Sequence, residues 1–178
     1  MNSNSLPTVK KVAVIGPECT GKSALSEYLA GYFKTGWVPE YARGYIDHLV
    51  RPYLQSDLLT IAHGQMRIED EWQRDSNNLL ICDTNLYVIK VWSEFKFGNC
   101  DEEILKYIGT RKYDLYLLTY VDIPWQDDPL REHPEKREEL YSIYLNEMKN
   151  QSVPFVEIKG AREDRQKTAV DAIENILK

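Results

Sequence analysis

Gly16-Pro17-Glu18-Cys19-Thr20-Gly21-Lys22-Ser23 is the stretch on which the fold of this chain turns. It spells G-x-x-x-x-G-K-S. The two glycines permit a loop whose backbone N–H groups point inward around phosphate oxygens. The Lys22 ammonium neutralises β- and γ-phosphate charge, and the Ser23 hydroxyl is a ligand for Mg²⁺. An apolar run, Val12–Ile15, precedes the loop. Leu25, Tyr28, Leu29 and Tyr32 follow it at i, i+3, i+4 and i+7, the spacing of one helix face. Strand before and helix after is the setting in which this pattern holds phosphate, with the positive end of the helix aimed at the same place. The expected cofactors are ATP and Mg²⁺. Gly16, Glu18, Cys19, Thr20, Gly21, Lys22 and Ser23 are the candidate nucleotide contacts, and Ala24 brings no second hydroxyl.

Outward from the loop, short apolar runs alternate with longer helical stripes. Val12–Ile15, Leu79–Cys82, Leu115–Leu118 and Val153–Ile158 fit strands buried on both faces of a parallel sheet, and Trp37–Val38 is a shorter fifth. Helical stripes run through Val88, Val91, Trp92 and Phe95, and through Leu140, Tyr141, Tyr144, Leu145 and Met148. Pro134 suits the first turn of the latter helix. Residues 55–75 read as a long polar helix, and 162–178 as a last one carrying Val170, Ile173 and Leu177. The order predicts an α/β three-layer sandwich of the P-loop NTPase kind, with a mainly parallel five-stranded sheet and a small lid.

The 178 residues suit one domain. Residues 1–10 read as a polar, disordered tail and 11–178 as a single domain. A net charge of −6 argues against a general nucleic-acid partner, and no apolar run approaches the ~20 residues of a membrane span. Cys19, Cys82 and Cys100 are odd in number and lack metal-ligand spacing, which fits a reducing cytoplasm. His48, His63 and His133 lack such spacing too. Oligomeric state is not readable.

Three further features bear on chemistry. Asp83 ends the Leu79–Cys82 run, which puts its carboxylate at the ligand-binding edge of the sheet as a candidate Mg²⁺ ligand or catalytic group. The alternative is an N-cap for a helix starting near Thr84. The segment from Asp127 to Arg137 is dense in charge and bracketed by Pro129 and Pro134, as a closing lid is. Its Arg131 and Arg137 are candidates to stabilise the transferring phosphoryl group, the alternative being a solvated helix start. In Trp37-Val38-Pro39-Glu40-Tyr41-Ala42-Arg43, Glu40 can orient or deprotonate an acceptor hydroxyl, and Arg43 can hold phosphate or Glu40. Arg162, after the last strand, is a candidate adenine contact or a plain helix start.

These stretches together resemble the ribosylnicotinamide kinase domain of NadR-type proteins, in its stand-alone form. The resemblance is carried by the phosphate loop, by Val38–Arg43, Cys82-Asp83-Thr84-Asn85 and Val91–Phe95, and above all by Pro124-Trp125-Gln126-Asp127-Asp128-Pro129-Leu130-Arg131. It implies a kinase domain that moves the γ-phosphate of ATP to nicotinamide riboside, giving the mononucleotide. With the phosphate-loop strand almost at the start of the chain and no H-x-G-H signature present, neither the operator binding nor the mononucleotide adenylylation of NadR-type proteins is expected. A flat cationic acceptor ring favours aromatic walls and a carboxylate. Tyr41, Tyr45, Tyr87, Trp92 and Trp125 are candidate walls, Glu40 and Asp127 candidate charges, and Asn85 and Gln65 candidate hydrogen-bond partners. Trp92 also fits plain core packing, since it lies on an apolar stripe. Another nucleoside kinase, or a nucleotide-responsive switch acting on a partner, stays open.

Overall fold

A computed structural model describes residues 9–128 and 131–178. In chain order the elements are β1 (Lys10–Ile15), α1 (Lys22–Phe33), β2 (Trp37–Val38), α2 (Tyr41–Asp47), α3 (Gln55–Asp75) and β3 (Leu79–Asp83). Then come α4 (Leu86–Phe97), α5 (Glu102–Thr110), β4 (Leu115–Thr119), α6 (Arg137–Lys149), β5 (Phe155–Ile158) and α7 (Arg162–Leu177). The strands form one sheet in the order β2-β3-β1-β4-β5. Every pairing is parallel, with Val14 beside Asp83 and Ile15 beside Leu118.

Alternate strand residues serve opposite faces, which is why β1, β3 and β4 read as unbroken apolar runs. Val12, Val14, Ile81 and Leu117 pack against Leu25 and Leu29 of α1 and Val170 and Ile173 of α7. Ala13, Ile15, Cys82 and Leu118 pack on the other face, against Val91 of α4 and Leu140, Tyr144 and Met148 of α6. Fully burying one such leucine contributes ~1.5–3 kcal/mol. A third cluster, around Leu58, Ile61, Ile89 and Ile104, joins α2, α3, α4 and α5 beside the sheet. The three-layer α/β arrangement is thus the one expected. No helix among the described residues is long and apolar enough to cross a membrane.

The end of the sheet away from the phosphate loop is fastened by a buried ionic knot. Glu69 of α3, 1% exposed, accepts from Lys11 Nζ at 2.7 Å, Arg111 Nη2 at 2.9 Å and the Tyr113 hydroxyl at 2.6 Å.

Several boundaries differ from expectation. The proposed tail falls mainly on residues 1–8, outside the described residues, and β1 already includes Lys10, whose ammonium pairs with Asp114 at 2.9 Å. Pro134 does not open α6. The helix starts at Arg137, because Pro134 and Glu135 are taken up in a turn closed by the Lys136 N–H on the His133 carbonyl at 3.1 Å. β5 begins at Phe155 rather than Val153, since the Gln151 side chain holds Val153 in a local turn. Asp83 caps no helix. Thr84 takes a left-handed turn (φ 71°), and Asn85 caps α4 by accepting from the Tyr87 N–H at 3.0 Å. Pro129 and Leu130 of the expected lid lie outside the described residues.

Candidate functional site

The phosphate loop joins β1 to α1 at the C-terminal rim of the sheet. Gly16 has φ 137°, and a Cβ there would lie 2.5 Å from Thr119 Oγ1 and 2.7 Å from the Thr119 carbonyl. Any side chain would push the loop off β4. Gly21 is left-handed (φ 78°) and caps α1 without a side-chain acceptor, so the first-turn amides are left for an incoming anion. Thr20 is buried, its hydroxyl 2.7 Å from both the Pro17 carbonyl and Thr119 Oγ1, so its side chain braces the loop. Lys22 Nζ donates to the Pro17 carbonyl at 2.8 Å, folded back over its own loop.

Asp83 stands beside Lys22 and Ser23 at the end of β3. It is 1% exposed, and its Oδ1 has no hydrogen-bond partner. Burial pushes its carboxyl up from 3.8 to about 6. The Ser23 hydrogen bond opposes this, nearby Glu40 adds to it, and Lys22 and Arg43 oppose it further. A carboxylate oxygen buried without a partner, next to a serine hydroxyl, is chemically suited to a hard divalent cation. Among the described residues no three His, Cys, Asp or Glu side chains gather around one point. A cation here would take one or two protein oxygens and complete its shell from phosphate and water, as Mg²⁺ does.

Lys22 and Ser23, though not Asp83 itself, line a cavity of about 620 Å³ that runs beneath the segment that follows β4. Glu40 and Arg43 line it, with Arg43 paired to Asp128 at 3.1 Å. Trp92 and Arg131 line it as well. It is also lined by Tyr53, Lys96 and Glu132, none of them a site candidate from the sequence, and by Phe95, which the sequence offered only as part of a helical stripe and of the Val91–Phe95 stretch. Glu18 ties the phosphate loop to this group. Its Oε2 accepts from the Glu132 backbone N–H at 2.9 Å, and its carboxyl is raised, by burial above all.

Other expected site residues stand elsewhere. Tyr41 packs between α2 and α3, its ring so close to Gly64 that a Cβ there would lie 2.1 Å away. Gln65 accepts from the Tyr41 N–H at 2.8 Å and donates to the Pro39 carbonyl at 3.3 Å, holding the Glu40 corner from behind. Asn85 is consumed by capping α4. Trp125 Nε1 donates to Asp127 Oδ1 at 2.8 Å, so these two face each other rather than the cavity. Arg137 donates to the carbonyls of Cys19 at 3.1 Å and Ile123 at 2.8 Å, tying the lid base to the phosphate loop. Arg162 is exposed on the first turn of α7, off the cavity. Three residues on, Arg165 is buried and bonds the carbonyls of Thr20 at 2.9 Å, Tyr120 at 2.9 Å and Gly160 at 3.0 Å, and the Asp122 carboxylate. A basic residue just inside a helix that follows the last strand was its only trace in the sequence.

A family model described as "AAA domain" matches residues 11–165. The chain belongs to this family. Curated relatives of this AAA domain include the trifunctional NAD biosynthesis/regulator protein NadR of Salmonella typhimurium, 26% identical over 164 residues, covering 88% of this chain and 40% of the relative. The Escherichia coli NadR is 26% identical over 159 residues, covering 85% and 38%. The chain therefore spans about two fifths of the length of these relatives. Among solved structures, a NadR protein in complex with NR superposes with TM-score 0.81 at 22% identity, over 96% of this chain and 52% of that one. Thymidylate kinase from Ehrlichia chaffeensis gives 0.66 at 14% identity, over 96% and 100%. Deoxyadenosine kinase from M. mycoides with bound dATP gives 0.62 at 14%, over 93% and 99%. The resemblance to NadR-type proteins and the P-loop kinase fold both hold.

Proposed function

We propose that this AAA domain is an ATP-dependent, Mg²⁺-assisted kinase of a small nucleoside, with nicotinamide riboside as acceptor and its 5′-hydroxyl as the attacking group. The observation that carries this reading is the continuity of one cavity. The phosphate loop and Glu40 line it, with Asp83 behind Ser23, and so do the aromatic side chains of Tyr53, Trp92 and Phe95 and the Glu132 carboxylate. A bare NTP hydrolase needs no such chamber, and the NadR and deoxyadenosine kinase likenesses favour a nucleoside in it.

The first-turn amides of α1 and Lys22 would hold the β- and γ-phosphates, Lys22 leaving the Pro17 carbonyl to do so. Ser23 and Asp83 would hold Mg²⁺, which supplies neutralisation of the triphosphate charge. Glu40, half-buried on the cavity wall, would accept a hydrogen bond from the acceptor hydroxyl and align it in line with the γ-phosphorus. Arg131 and Arg43 would meet the charge on the transferring group, and the segment that carries Arg131 would exclude water. The transition state is loose, so alignment counts for more than the basicity of Glu40.

ADP release measured with and without nicotinamide riboside, against uridine, cytidine, thymidine and thiamine, tests the reading. Release driven by nicotinamide riboside above the others is the expected result. Release driven by another nucleoside keeps the kinase and replaces the acceptor. Release indifferent to every acceptor refutes the kinase and favours a nucleotide-responsive switch.

A further inference from the structure

We infer that Lys96 is a resident stand-in for a cationic ring, and that Tyr53, Trp92 and Glu132 select acceptors by positive charge. This rests on the reading above only in taking the part of the cavity lined by Tyr53, Trp92 and Glu132 as the acceptor side. The Lys96 ammonium stands 3.8 Å from the centroid of the Tyr53 ring. It donates to the Tyr53 hydroxyl at 2.6 Å and to both Glu132 oxygens at 2.7 and 3.0 Å. Trp92 meets Tyr53 edge-on, centroids 4.9 Å apart at 65°, and its indole N–H donates to the same hydroxyl at 2.8 Å. The hydroxyl in turn donates to Glu132 at 2.6 Å. An aromatic face whose phenol is polarised toward a carboxylate is a recognition element for a cation, and here the protein supplies the cation itself.

The occupant is easier to move than the box. The Lys96 and Glu132 side chains are 30% and 35% exposed, so their ion pair contributes little by itself, and a lysine stem swings out at low cost. Glu132 is held from behind by its N–H bond to Glu18 of the phosphate loop, and Tyr53 is held by Trp92. Of the other nearby cations, Arg51 is committed to Asp57 by contacts of 2.7 and 2.9 Å. His133 lies 3.9 Å from Glu132, with its ring against Phe95. A flat cationic ring that displaces Lys96 keeps Glu132 matched in charge. A neutral ring either fits around Lys96 or strands the Glu132 carboxylate.

Calorimetric binding to the intact chain tests this, with nicotinamide riboside and its dihydro form, which differ mainly in ring charge. The expected result is preference for the charged ring. Lys96→Met tightens that ligand about threefold to tenfold and leaves the neutral one within about twofold. Glu132→Gln erases the preference, and both variants keep the wild-type melting temperature and ATP affinity. The inference is overturned if both variants change the two ligands alike, or if Lys96→Met weakens the charged ligand. It is also overturned if the variants unfold or lose ATP, which makes the pair a structural latch, or if wild type binds neither ligand. Charge-selective binding without ADP release sinks the kinase reading and leaves the inference standing. Acceptor-driven release without charge preference does the reverse.

Discussion

Replacing Asp83 with Asn should make the metal-free protein more stable while removing its use for a divalent ion. Burial raises the Asp83 carboxyl from 3.8 to about 6. The folded state therefore binds this proton more tightly than the unfolded chain does. The stability it contributes is present at low pH and is lost as pH rises through about 6. At about 1.4 kcal/mol per pKa unit the full effect is about 3 kcal/mol, and about 2 kcal/mol of it separates pH 4.5 from pH 7.5. The assay is urea unfolding of wild type and Asp83→Asn in EDTA across that range. Titrating groups that do not interact with Asp83 cancel in the difference between the two proteins, and of its charged neighbours Glu40, Lys22 and Arg43 only Glu40 is of a kind that titrates near this range. The difference should move toward the variant by about 2 kcal/mol on going from pH 4.5 to 7.5. A constant offset is expected as well, because the Asn amide takes the place of the unpartnered Oδ1, so the slope is the test. With Mg²⁺ and ATP present, the advantage should narrow, since wild type binds the metal-loaded nucleotide more tightly than the variant does. A pH-independent difference in EDTA would show that Asp83 is not held in a low-dielectric corner, and the metal argument would lose its basis.

Three other outcomes follow from particular contacts. Glu69→Ala should cost about 3–5 kcal/mol in urea unfolding, because it strands Lys11, itself 8% exposed; pairing Glu69→Leu with Lys11→Met should recover part of that, and additive losses would contradict the coupling. Gly64→Ala should destabilise by about 1–3 kcal/mol despite gaining about 1 kcal/mol of helix propensity, because the new Cβ drives into the Tyr41 ring; in a Tyr41→Ala background the penalty should vanish, as a thermal-melt cycle would reveal. Lys22→Ala should lower turnover at saturating ATP at least about a hundredfold with the melting temperature nearly unchanged; undiminished turnover would reject the phosphate-loop assignment.

The phosphate loop, the central strands and α3 were legible because each is a local pattern: glycines at fixed offsets, apolar runs, period-3.6 stripes. α5 was missed, although Asp101 accepts from the Glu103 N–H as an N-cap and Ile104, Tyr107 and Ile108 share a face. Side-chain direction was the harder matter. Tyr41 and Asn85 adjoin Glu40 and Asp83 in sequence, yet Tyr41 turns into the α2–α3 seam and Asn85 into its own helix cap. Lys96 and Tyr53 meet across 43 residues, and Arg165 reaches Thr20 across 145. No spacing rule within one element encodes contacts of that range. Arg162 lost to Arg165 for the same reason: one helical turn separates a residue facing water from one pointing into the strand ends.

The two sides of the cavity have separate architects. The phosphate side is made where β1 and β3 finish and α1 begins. Tyr53, Trp92, Phe95, Lys96 and Glu132 come from a connecting loop, one outer helix and the segment before α6, and none from the sheet. Mutation at Tyr53, Trp92 or Lys96 can therefore redraw the guest list and leave the engine alone, whereas Glu132, anchored on Glu18 of the phosphate loop, is the place where clientele and machinery pull on each other.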